Sequence, residues 1–217
     1  MSNASFTRDE VILALDVLYS CGGATPRSDS EEILVLCDLL HRLPIHPEKV
    51  RKRDFRTPTG VRAQIYRYER RYANMVGSMF YEIDAEYADK HDELHAIAKA
   101  IRKNASLFID SRFGDITEED GFPEGTLLGH LHRVIEKRDG EKYEKKHRCD
   151  ICQISPAELY RNSPDIMAMH LTVPVIELDG TEKYGRSDFI TVCPNCHEAL
   201  HRFRPWLKLE NCDAILR

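Results

Sequence analysis

The sequence contains no run of about twenty apolar residues, which argues against a helical membrane span. It lacks the basic-then-apolar opening of a secretory leader, so the expectation is a cytoplasmic protein without a membrane partner. Internal repeats and low-complexity tracts are missing as well. There is no net basic charge: 31 Lys and Arg face 36 Asp and Glu, a formal −5. Composition alone therefore does not announce a nucleic-acid binder. An even cysteine count is also absent. Seven cysteines without a leader argue against a disulfide framework.

What is present is a chain of 217 residues, 42% hydrophobic, enough for a helical domain joined to a smaller one. Thr7 and Glu10 have capping-box spacing ahead of Val11, Leu13, Leu15, Val17 and Leu18. Ser28 and Glu31 repeat that spacing before Ile33, Leu34, Leu36, Leu39 and Leu40. The prolines of Leu43-Pro44-Ile45-His46-Pro47 then break the helix. Thr57 to Gly60 predicts a turn opening a short helix, and Ile83 to Asn104 predicts a longer one. Residues 111–125 are acidic and rich in Gly and Pro, and Gly125 to Arg138 reads as helix. The expected organisation is a helical N-terminal domain over 1–110, an acidic linker with a connecting helix over 111–148, and a metal module over 149–217.

That module rests on two CxxC pairs, Cys149-Asp-Ile-Cys152 and Cys193-Pro-Asn-Cys196. Two thiolates three positions apart fit one tight knuckle, and two knuckles supply a tetrahedral sulfur cage for structural zinc. His197 and His201 follow at i and i+4, a spacing that puts both imidazoles on one helix face. The strand-like run ending at His170 could deliver a third imidazole. Three histidines around one divalent ion leave a position open, the arrangement of catalytic sites. The plainer alternative is that these three histidines are ordinary helix and strand residues. His41, His46, His91, His95, His130 and His132 are expected to be structural or exposed, and His147 to be at most a stand-in for a cysteine ligand.

The order CxxC, a strand with His170 ahead of Pro174, a loop, and Cys193-Pro-Asn-Cys196-His197 followed by His201 resembles HNH endonucleases with a structural zinc. Residues Phe55 to Val61 and Phe122 to Val134 resemble stretches preceding that module in McrA-like restriction nucleases. The resemblance implies an α+β chain, with a helical N-terminal domain followed by a zinc-stapled ββα-metal module. It implies metal-dependent hydrolysis of DNA in restriction or defence against foreign or modified DNA. His170, His197 and His201 would then hold a catalytic Mg²⁺, Mn²⁺, Ni²⁺ or Zn²⁺. Asp188 stands where the family has its middle Asn and would brace the loop.

One position departs from the family pattern. If His170 is the first ligand, the general base falls on Leu171, which cannot accept a proton. If His170 is instead the base, Met169 becomes the ligand, and a thioether suits a hard ion poorly. Cleavage is then expected to be weakened, with the metal alone lowering the pKa of a bound water, unless Thr172 through water, Asp165 or a partner chain stands in as base. A catalytically silent DNA-binding or regulatory subunit is the rival expectation.

DNA contact is expected from the stretch Lys49 to Arg71, whose nine basic residues face only Asp54 and Glu69. Lys49, Arg51, Lys52, Arg53, Arg56, Arg62, Arg67, Arg70 and Arg71 interleave there with Phe55, Tyr66, Tyr68 and Tyr72. A solvated helix face is the alternative for this stretch. A homodimer or a partner defence subunit is left open.

Overall fold

The computed structural model describes residues 4–71, 76–109, 127–161 and 166–202. The chain divides into two compact units, Met1–Leu127 and Leu128–Arg217. Among the described residues the architecture is mixed but helix-rich, with a single two-stranded sheet. No described helix is long and apolar enough to cross a membrane.

The first unit is built around α1 (Arg8–Ser20), whose residues Asp9 to Leu18 are all buried. A helix buried on every side must be surrounded, and α2 (Glu31–Arg42), α3 (Pro58–Arg71), α4 (Met79–Glu86) and α5 (His91–Lys103) pack against it. A short α6 (Ala105–Ile109) follows. Two boundaries differ from those expected. Helix α2 is capped by Ser30, whose hydroxyl accepts from the Ile33 amide, and not by Ser28. The helix expected from Ile83 to Asn104 is two helices, broken after Tyr87, which lets both segments lie along α1.

The most deeply buried carboxylate in this unit is paired. The Glu10 carboxylate is fully buried and accepts from Nε of Arg56 at 2.6 Å, from its Nη2 at 2.8 Å and from the Thr7 amide at 2.9 Å. Nε2 of His46 lies 2.9 Å from the same carboxylate. Burial pushes the Glu10 acid up, but the His46 and Arg56 contacts outweigh it and hold the group below the carboxylate range.

The second unit begins with α7 (Leu127–Ile135, Leu127 itself falling in the first unit), which runs into a π-helical turn, Glu136–Gly140. Such turns cluster at functional sites because they re-aim side chains on an otherwise regular helix. After the first CxxC come α8 (Pro156–Leu159), β1 (Ala168–Leu171), β2 (Phe189–Val192) and α9 (Pro194–Arg202). The strands are antiparallel, with His170 opposite Ile190 and Leu171 opposite Phe189. Gly140 is needed for close approach: a Cβ there would stand 3.0 Å from Cβ of Met169 and 3.1 Å from the Phe189 ring. The π turn is thereby seated on the sheet.

Removing Arg56 leaves the buried Glu10 charge with only His46 and the Thr7 amide to answer it. Arg56→Ala is expected to cost the first unit about 3–5 kcal/mol, read as a lowered denaturation midpoint; an unchanged midpoint would contradict this account of the ion trio.

Candidate metal centres

The first centre is sulfur only. Cys149 and Cys152 lie on a knuckle closed by hydrogen bonds from the Gln153 amide to the Cys149 carbonyl and from the Cys149 amide to the Ile154 carbonyl. Asp150 fastens this knuckle to β2, donating its amide to the Thr191 carbonyl at 2.8 Å and accepting the Thr191 amide on its carboxylate at 2.8 Å. Cys193 and Cys196 sit where β2 passes into α9.

The four Sγ atoms lie within 4.8 Å of one another, and Sγ of Cys152 is 3.7 Å from Sγ of Cys193. A disulfide would need about 2.05 Å. Four thiolates at about 2.3 Å from a zinc ion stand roughly 3.8 Å apart along the tetrahedron edges. The cluster therefore fits a structural zinc. Without a cation its thiols resist ionising together: burial pushes Cys152 and Cys196 up, while backbone amides hold Cys149 down despite its burial. The cysteines also form much of the local core, since Cys149 and Cys196 pack with Ile151, Met167, Val192 and Leu200.

The second centre gathers imidazoles around one carboxylate. His170 comes from β1 and His197 and His201 from α9, and Glu136 lies among them on the π turn. Nδ1 of His170 is 2.7 Å from Oε1 of Glu136, and Nε2 of His197 and Nε2 of His201 are each 3.0 Å from Oε2. The two α9 nitrogens are 3.2 Å apart, as the i, i+4 spacing allows. His132, one turn before Glu136 on α7, brings its Nδ1 to 3.3 Å from Oε1. Donor atoms of His132, Glu136, His170 and His201 all fall within 4.8 Å of one another, a group able to hold a metal ion. An ion pair from Arg133 to Glu198, 3.1 Å long, ties α7 to α9 beside it.

Burial sets the charge state here. Desolvation drops His170 to about 4 and His201 to about 3, so both rings are neutral at neutral pH and keep a lone pair for a ligand. Glu136, 6% exposed, would be raised by its burial, yet the neighbouring histidines hold it well below the ordinary range.

His170, His197 and His201 are thus brought together, while Asp188 belongs to neither cluster. Its carboxylate accepts from the Gly185 amide at 2.7 Å and its carbonyl from the Thr172 amide at 2.8 Å and the Thr172 hydroxyl at 3.0 Å. It fastens the loop before β2, the bracing task expected of it. The same bond engages the Thr172 hydroxyl. Leu171 is 1% exposed, so its side chain lies in the core. Met169 receives the Thr191 hydroxyl on its sulfur at 3.6 Å, which gives that thioether a partner other than an ion. Asp165 and Cys212 lie outside the described residues. Sequence reasoning missed Glu136 and gave His132 a structural or surface role; the structure places both in the cluster. The His132/Glu136 spacing, i and i+4 like His197/His201, was the available signal.

The basic stretch of the first unit divides in two. Arg56 is withdrawn from any phosphate contact: it is 6% exposed, ion-paired with Glu10, and its guanidinium lies over the Phe6 and Phe55 rings. Arg51 is also committed, donating to the carbonyls of His41 in the last turn of α2 and of Leu43 and His46 just after it. Lys49, Lys52, Arg53, Arg67 and Arg70 are exposed and Arg62 is half-buried. Arg62 and Arg70 both lie over the exposed Tyr66 ring, at 5.1 and 5.5 Å, forming a stripe along α3. The side chain of Arg71 and all of Tyr72 lie outside the described residues.

No family model, curated protein or solved structure significantly matches this chain.

The depressed histidines give a signed prediction. In the unfolded chain His170 and His201 bind protons near 6.5, so the stability carried by their neutral folded forms is full above that pH. It is lost as pH falls towards about 4 and about 3, and the depressed Glu136 acts in the same direction below its ordinary value of 4.5. The denaturation midpoint of the second unit is expected to fall between about pH 7 and about pH 5; a midpoint that rises would contradict the buried neutral rings.

Proposed function

We propose that the second unit is an HNH-type ββα-metal module and that the protein is a metal-dependent endonuclease acting on foreign or modified DNA. The observation that carries this reading is the convergence of His170 from a strand with His197 and His201 from the helix after the second CxxC, all within 3.0 Å of one carboxylate. The order strand, loop, strand and helix, stapled by a four-cysteine cluster, supports it further. A divalent ion at such a centre supplies Lewis-acid stabilisation of the charge that develops on a phosphodiester.

The chain's own residues have separable tasks in this reading. The thiolates fix the knuckles, and Asp150 holds the first knuckle to β2. His170, His197 and His201 bind the ion, and Asp188 keeps the loop before β2 in place. The side chain of His197, 20% exposed against 3% for His201, marks the face open to a phosphate. Lys49, Lys52, Arg53, Arg62, Arg67 and Arg70 neutralise phosphates without selecting a sequence, and Tyr66 offers a stacking face.

A second reading has its own observation. The side chain at the expected base position, Leu171, is buried and chemically inert, which favours an HNH-shaped DNA-binding or regulatory subunit without turnover. Incubating supercoiled plasmid, plain and modified, with the protein and Mn²⁺, Mg²⁺ or Ni²⁺ separates the two. The nuclease reading predicts nicking that disappears in His201→Ala. Tight DNA binding with no nicking under any of these ions would establish the silent subunit instead.

A further inference from the structure

The nuclease reading uses three histidines and leaves two buried donors of the same cluster without a task, His132 and Glu136. Nε2 of His132 lies 2.9 Å from the Leu171 carbonyl oxygen. A carbonyl only accepts, so Nε2 carries the proton, and in the neutral ring Nδ1 is a bare lone pair. That lone pair is buried, lacks a hydrogen-bond partner, and stands 3.3 Å from Oε1 of Glu136. Nδ1 of His170 is also buried without a hydrogen-bond partner, 2.7 Å from the same oxygen but outside hydrogen-bond geometry. A ring lone pair and an anionic oxygen held this close are reconciled by a cation bound between them. On the other oxygen, two ring nitrogens 3.2 Å apart match the roughly 3.3 Å edge of a tetrahedron with metal–nitrogen bonds of about 2.0–2.1 Å.

We propose that Glu136 and His132 are ligands of the same divalent ion as His170 and His201, making this a late first-row transition-metal site of several imidazoles and one carboxylate. Glu136 supplies the negative charge of the site, and His132 binds through Nδ1. Leu171 acts through its backbone: its carbonyl fixes the His132 tautomer, and its amide donates to Oε1 of Glu136 at 3.1 Å. Imidazole-rich sites suit Zn²⁺, Co²⁺ or Ni²⁺, whereas Mg²⁺ demands oxygen ligands and retains its waters. The assignment rests on the metal centre of the preceding reading and is independent of cleavage.

The test uses the full chain, treated with a chelator to remove the exchangeable ion while elemental analysis verifies that the cysteine-bound zinc remains. Titration with Co²⁺, followed by visible absorption and calorimetry with Mg²⁺ in parallel, is expected to show one Co²⁺ per chain. The spectrum should carry d–d bands without sulfur charge transfer, and Mg²⁺ should not bind. Glu136→Gln and His132→Gln are expected to keep the zinc and weaken Co²⁺ binding by about tenfold or more. Where Glu136→Gln loses its zinc, and with it the fold, Glu136→Asp is read in its place and is expected to weaken Co²⁺ binding too. Co²⁺ affinity unchanged in zinc-retaining variants overturns the assignment and leaves the nuclease reading standing. A wild-type chain that binds Co²⁺ as described but never nicks DNA sinks the nuclease reading and leaves the site.

Discussion

A carboxylate that is 6% exposed and ringed by imidazoles governs how the second unit is put together. Glu136 sits on a π turn, and its partners arrive from α7, β1 and α9. An isolated ion buried this deeply would cost several kcal/mol. The cost is met only when all three elements close on it at once. The backbone of Leu171 takes part through both its amide and its carbonyl, so the end of β1 is held to the helix that carries His132 and Glu136. Gly140 lets the π turn come close enough to the sheet for this to happen.

The sulfur cluster lies at the centre of the other part of this unit. The four cysteines pack with Ile151, Met167, Ala168, Ile190, Val192 and Leu200 in the local core, so the staple and the core are one structure. An ion held there would act as folding energy. It would also fix the start of α9, and therefore the direction in which His197 and His201 point. The two centres are linked by geometry: the sulfur cluster sets the helix, and the helix delivers the imidazoles. In the first unit, by contrast, the buried charge is handled by protein groups alone, with Arg56 and His46 answering Glu10.

Much of this was legible in the residues, and the failures have physical causes. The paired CxxC spacing and the His197/His201 period are local, and local spacing survives in the sequence. His132 and Glu136 were overlooked because their value depends on contacts with β1 and α9, far along the chain, and the stretch containing them reads as a connector. Arg56 failed as a phosphate contact for a related reason. Its charge is visible in the sequence, but the buried Glu10 that claims it is not. The break after Tyr87 was hidden because the apolar period continues across it, and only packing on α1 demands two helices. Leu171 was correctly seen as chemically inert, whereas the work of its backbone could not be read from a side chain.

The central claim is that one chain holds two distinct divalent-metal centres, one of thiolates and one of imidazoles with a carboxylate. Elemental analysis of the purified protein before and after mild chelation tests it most directly. The account predicts one zinc that resists the chelator and one further ion that leaves and can be restored. A chain that carries no zinc, or that releases both ions together, would contradict it.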